Sequence, residues 1–146
     1  MKKAIVAGLV VAAGIAGALW AEEEASNPVV KARMEAMEEI GGSMKVLGDM
    51  AKGAVAFDAA AAQAAVDKIV AEASEVPALF EANESDPASE ALPVIWEDYA
   101  DFTAKAGDLK TAAEGITISA QADIGPAMGT LGGACKACHS KYRVAK

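Results

Sequence analysis

Residues 26–53 read SNPVVKARMEAMEEIGGSMKVLGDMAKG. Ser26-Asn27-Pro28 has the form of a helix start: a polar cap, then proline where its missing N–H costs nothing. Val30, Met34, Met37, Ile40, Met44, Leu47 and Ala51 then recur at spacings of three and four. That period marks one apolar face of a long helix, and Gly53 fits its end. Gly41 and Gly42 interrupt the pattern at a cost of about 1 kcal/mol each relative to alanine. The expectation is that something approaches the backbone closely there.

The same period continues through the chain. Asp58 caps a second helix from Ala59 to about Ser74, with Val66, Ile69, Val70 and Ala73 inward and Pro77 as its limit. Residues 81–88, EANESDPA, form a polar loop. Pro93 opens a third helix carrying Val94, Ile95, Trp96, Tyr99, Phe102, Ala106, Leu109 and Ala113, with Ile116 to Ala120 as a continuation. Asp123 caps a fourth, with Pro126 in its first turn and Met128, Leu131, Cys135, Cys138 and Tyr142 following. Trp96, Tyr99, Phe102 and Tyr142 read as core residues. No alternating run suggests a strand. Four amphipathic helices on short connections predict an all-α, antiparallel, up-down four-helix bundle.

The 146 residues suffice for one domain, and aromatic residues are only 5% of them. The N-terminus sets its own boundary. Lys2 and Lys3 precede an uncharged run from Ala4 to Ala21, after which charge returns as Glu22-Glu23-Glu24. This is the layout of a cleaved secretory leader, residues 1–21, with cleavage after Ala18 as the alternative. It predicts export to a periplasm and no stable membrane association afterwards. The remaining domain, residues 22–146, holds 11 Lys and Arg against 21 Asp and Glu, a net charge of −10. Such a surface excludes nucleic acid as a partner, because phosphate binding needs a basic face.

The chemistry gathers in Cys135-Lys136-Ala137-Cys138-His139, a pentapeptide that contains both cysteines and the single histidine of the chain. C-x-x-C-H is the spacing of c-type haem attachment. Two thiols add across the haem vinyl groups and the adjacent imidazole coordinates iron. On a helix these three side chains share one face. A thioredoxin-like dithiol belongs at a helix N-terminus after a strand. A structural zinc site would lack a fourth ligand. A disulfide would close a tiny loop and leave His139 unexplained. Haem attachment is the reading adopted, with one covalent haem c and its iron as cofactor.

With the string GGACKACHSKYR near the C-terminus, Arg33 and the GGSM string in the first helix, and Ile95-Trp96 opening the third, the chain resembles the class II cytochromes c, which include cytochrome c-prime. The resemblance spans residues 22–146. It implies a monohaem electron carrier with no side-chain catalysis, hence not an enzyme, serving redox partner proteins; a homodimer is in keeping with it. It implies His139 as the proximal ligand, with Arg33 and Arg143 as candidate contacts to a haem propionate, or for Arg143 to the imidazole. It also puts Met37, four residues after Arg33, on the distal side. In the low-spin branch such a methionine ligates iron, which would give His/Met ligation suited to electron transfer. In the other branch iron stays five-coordinate and binds nitric oxide or carbon monoxide. The sequence favours the first, since the stretch from Met37 to Gly53 is more similar to the methionine-ligated proteins.

Overall fold

The computed structural model describes residues 24–145. The expected leader lies outside them. Five helices follow in order: α1 (Pro28–Ala51), α2 (Ala59–Leu79), α3 (Val94–Glu97), α4 (Tyr99–Glu114) and α5 (Gln121–Tyr142). The four long ones pack in a ring, α1 on α2, α2 on α4, α4 on α5 and α5 back on α1. This is the four-helix bundle the periodicity predicts. The only β pairing among the described residues is one antiparallel bridge, Ala91 with Arg143.

The ends of α1 follow from local chemistry. Asn27 Oδ1 accepts the amides of Val29 and Val30 at 2.8 and 3.2 Å. At the other end Gly53 adopts φ 71°, the left-handed conformation that side chains resist. The Gly53 amide donates to Met50 O and the Ala54 amide to Asp49 O, so the chain leaves the helix in a Schellman motif.

The buried stripe of α1 is rotated from the expected one. Val30, Arg33, Ala36, Ile40, Ser43, Leu47, Gly48 and Met50 are buried. Met34, Met37 and Met44 border the stripe half-buried, and Ala51 is exposed. Two polar residues can occupy the centre because each is hydrogen-bonded; Ser43 Oγ donates to Glu39 O at 2.9 Å. Gly41 and Gly42 are exposed, and no described atom beyond their own stretch of helix lies within 4 Å of a Cβ built there. The close approach falls at Gly48 instead, where the Met128 methyl sits 3.7 Å from the site of a Cβ.

Four other boundaries differ from the sequence pattern. Helix α2 starts at the Asp58 cap as expected but runs through Pro77 to Leu79. Proline keeps a helical φ and removes one amide, while Val76 and Phe80 on either side of it are buried. The expected third helix is broken at Asp98, where φ −133° and ψ 53° separate α3 from α4. That break turns Asp98 toward the end of α5, as described below. Helix α4 stops at Glu114, and 116–120 is loop; the Ile118 amide there donates to Gln63 Oε1 at 2.8 Å. Asp123 does cap α5, but from inside its first turn: Oδ2 accepts the Ser119 and Ala120 amides at 2.9 and 2.8 Å. The helix therefore starts three residues earlier than that cap implies, at Gln121.

The polar loop 81–88 is firmly held. Asp86 Oδ2 accepts the Ser26 amide, the Ser26 hydroxyl and the Asn27 amide at 2.8–2.9 Å, and Oδ1 accepts the Ala88 amide. These bonds, that of Ala88 foremost, hold the Asp86 carboxyl down at about 2, against an ordinary 3.8. A folded-state value below the unfolded one makes the contribution complete above pH 3.8 and lost as the pH falls toward 2. Asp86→Asn is therefore expected to melt below the parent at pH 7, with the gap closing across that acid window. Thermal unfolding followed by circular dichroism from pH 7 down to pH 2 checks this; a gap independent of pH would refute it.

Candidate haem site

The core falls into two clusters. One gathers Leu47, Ile69, Ile124 and Leu131 with their neighbours. The other gathers Val76, Phe80, Ile95, Phe102, Ala106 and Tyr142. Cys135 packs against the first and Cys138 against the second. The pentapeptide thus straddles the seam between them. Met37 is half-buried and packs against both. The structure therefore brings Met37, Cys135 and Cys138 to one boundary inside the bundle, from α1 and α5.

Cys135, Cys138 and His139 all lie within the last eight residues of α5, on one face by their spacing of three and four. Both thiols are free and half-buried, and burial pushes each above its ordinary value. A dithiol oxidoreductase needs the reverse, a thiolate stabilised at a helix N-terminus. No group of three His, Cys, Asp or Glu side chains suited to a metal ion occurs among the described residues. The His139 imidazole is held below its usual value, first by burial and then by the Arg143 charge, with Glu90 opposing. The neutral ring is the form that ligates a metal. It lines an open cleft of about 280 Å³ with Lys136, Ser140, Arg143, Val144 and Ala145. Two half-buried free thiols and a neutral imidazole on one face suit covalent haem, and nothing else in the donor set competes.

The two arginines have definite partners. Arg33 is 2% exposed. Its Nε donates to Leu79 O and Nη1 to Glu84 O, both at 2.8 Å, and Nη2 donates to Ala82 O at 2.5 Å. The guanidinium also stacks 4.8 Å from the Phe80 ring centre and 5.2 Å from that of Trp96. Three of its five N–H groups thus tie α1 to the loop after α2. Arg143 places Nε and Nη2 on Glu90 Oε2 at 2.6 and 2.5 Å, beside the His139 cleft.

Other functional groups are visible only in the fold. Trp96 Nε1 donates to Phe80 O at 2.9 Å. Tyr142 is buried, and its hydroxyl donates to Asp101 Oδ2 at 2.6 Å. Lys141 Nζ donates to Asp98 and Asp101 at 2.7 and 3.0 Å. The Tyr142 and Lys141 bonds pull the Asp101 carboxyl down to about 2. The one sequence signal was the position of Tyr142, three residues after His139 on the face of both cysteines.

The Cytochrome C' family model matches residues 28–143. A cytochrome c-556 of Agrobacterium fabrum is 40% identical over 147 residues, covering 99% of this chain and 97% of its own. A cytochrome c' of Rhodopseudomonas palustris is 34% identical, covering 100% of this chain and 98% of its own. The solved structure of cytochrome c' from Rhodopseudomonas palustris superimposes with a TM-score of 0.76 at 32% identity, over 83% of this chain and 99% of that one. The matched region begins with the first residue of α1 and ends just past α5, so it takes in the whole bundle and the thiol–imidazole face together: the chain belongs to the cytochrome c' family and is a monohaem c-type cytochrome.

Proposed function

We propose that this chain is an exported one-electron carrier in which His139 and Met37 are the two axial ligands of the haem iron. The observation that carries the reading is the position of Met37, which alone of the first-helix methionines packs against both core clusters at the seam spanned by the two cysteines. Bound there, the haem would supply a reversible one-electron couple. Cys135 and Cys138 tether it by two thioethers. His139 would hold the iron through a neutral imidazole nitrogen, and Met37 through an uncharged thioether that needs no deprotonation. Arg33 and Arg143 are the cations available to nearby propionates, Arg33 through the two N–H groups its carbonyl partners leave over. No side chain is asked to move a proton, so the reading assigns no enzyme activity. The leader pattern at residues 1–21 supports a periplasmic location. No helix among the described residues is long and apolar enough to cross a membrane. The partners are redox proteins able to approach the α5 end of the bundle.

Two experiments test this reading. Protein matured with the haem attachment machinery, then denatured, should retain the mass of one haem. Cys135→Ala with Cys138→Ala should retain none, and should melt broadly and early, because the emptied seam exceeds the cavity of a deleted leucine, itself worth about 2–5 kcal/mol. A sharp transition at the parent temperature in that double variant would count against a haem-filled seam. For the ligand set, the wild type should be low spin in both oxidation states, with a weak near-infrared sulfur-to-iron band when oxidised. Met37→Ala should turn the iron high spin and open it to carbon monoxide, and Met34→Ala should do neither. A wild type already high spin at neutral pH would replace the carrier reading with a five-coordinate, gas-binding one.

A further inference from the structure

We infer that Tyr142, held by Asp101, is a positioning residue for the His139 imidazole. The inference rests on the proposed ligation by His139. That residue lies in the last turn of α5, three residues before the helix ends at Tyr142. Helix ends leave carbonyls unpaired and fray. A ligand carried on fraying backbone would hold its metal loosely, whereas a metal ligand works best when its supporting shell is fixed.

Tyr142 supplies that fixation from three directions. Its ring, 2% exposed, stands edge-on to Phe102 with centres 5.3 Å apart and planes at 88°. Its hydroxyl donates to Asp101 Oδ2 at 2.6 Å, with Asp98 O farther off at 3.3 Å. Its carbonyl accepts the Leu92 amide at 2.9 Å. The neighbours reinforce it: Val144 N donates to Glu90 O, Arg143 N to His139 O, and Lys141 Nζ bridges Asp98 and Asp101. Spaced at three and four from Cys138 and His139, Tyr142 also continues the haem-bearing face by one more turn. The break between α3 and α4 belongs to the same device. At the break the Asp98 carbonyl accepts the Phe102 amide that opens α4, while the Asp98 carboxylate faces the end of α5 and holds Lys141.

The test uses the holoprotein. Tyr142→Phe keeps the ring and loses the hydroxyl; Asp101→Ala removes the acceptor; Asp101→Asn restores an acceptor without the charge. Amide exchange of Arg143 and Leu92 should speed roughly tenfold in the first two, the effect of losing one hydrogen bond, while Val66 in the middle of α2 exchanges as before. The redox equilibrium against a reference dye should move at least about threefold toward the reduced form, because an imidazole free to draw back donates less charge to ferric iron. Asp101→Asn should restore most of both. Faster exchange with an unmoved redox equilibrium and an unchanged near-infrared band would show Tyr142 to be packing only, and would overturn the inference while leaving the ligand reading intact. Absence of shifted imidazole proton resonances in the wild-type ferrous protein would remove the ligand reading itself, and the inference with it.

Discussion

Everything in this bundle is arranged around one demand: two thiols and an imidazole on a single helical face must meet the boundary between two groups of packed side chains. The apolar residues accordingly divide into an aliphatic group around Leu47, Ile69 and Leu131 and an aromatic group around Phe80, Phe102 and Tyr142, with Cys135 on one side and Cys138 on the other. Met34, Met37 and Met44 border the buried stripe of α1, and the flexible thioether of Met37 reaches both groups. The centre of the stripe is left to residues that join α1 to its neighbours.

Arg33 is the costliest of these, since a buried charge must recover its lost hydration. Its hydrogen-bond partners among the described residues are carbonyls, not carboxylates. Three carbonyls from residues 79–84 solvate it, and two aromatic faces complete the shell. Burial lowers its proton affinity somewhat, and Glu84 counters that. A lysine could not replace it, because an ammonium cannot offer a planar fork to three divergent acceptors.

How much of this could be read from the chain follows from the range of each interaction. Asn27-Pro28, Gly53 and Asp58 announce themselves because capping is settled within four residues. C-x-x-C-H is equally local, and a helix turns its spacing directly into a face. Two of the misread boundaries depend on tertiary packing: Pro77 stays helical because Val76 and Phe80 are buried, and Asp98 breaks a helix toward residues more than forty positions away. The burial of Arg33 is illegible in the helix around it because its carbonyl partners lie 46 to 51 residues away. Glycine was misleading in the opposite way. Gly41 and Gly42 suggested a close contact and face open space, while the unremarked Gly48 meets Met128.

Residues 79–92 have the composition of a linker, yet almost nothing about them is free. Arg33 grips the beginning, Asn27 and Ser26 hold Glu84 and Asp86, and the end pairs with Tyr142 and Val144. Ordinary surface loops open alone and tolerate insertion. This one joins the start of α1, the end of α2 and the end of α5, so it can come loose only if three helix termini loosen with it. Local opening at that end of the molecule is therefore collective: a protease or an inserted residue would encounter the cooperativity of a core where the sequence advertises a spacer.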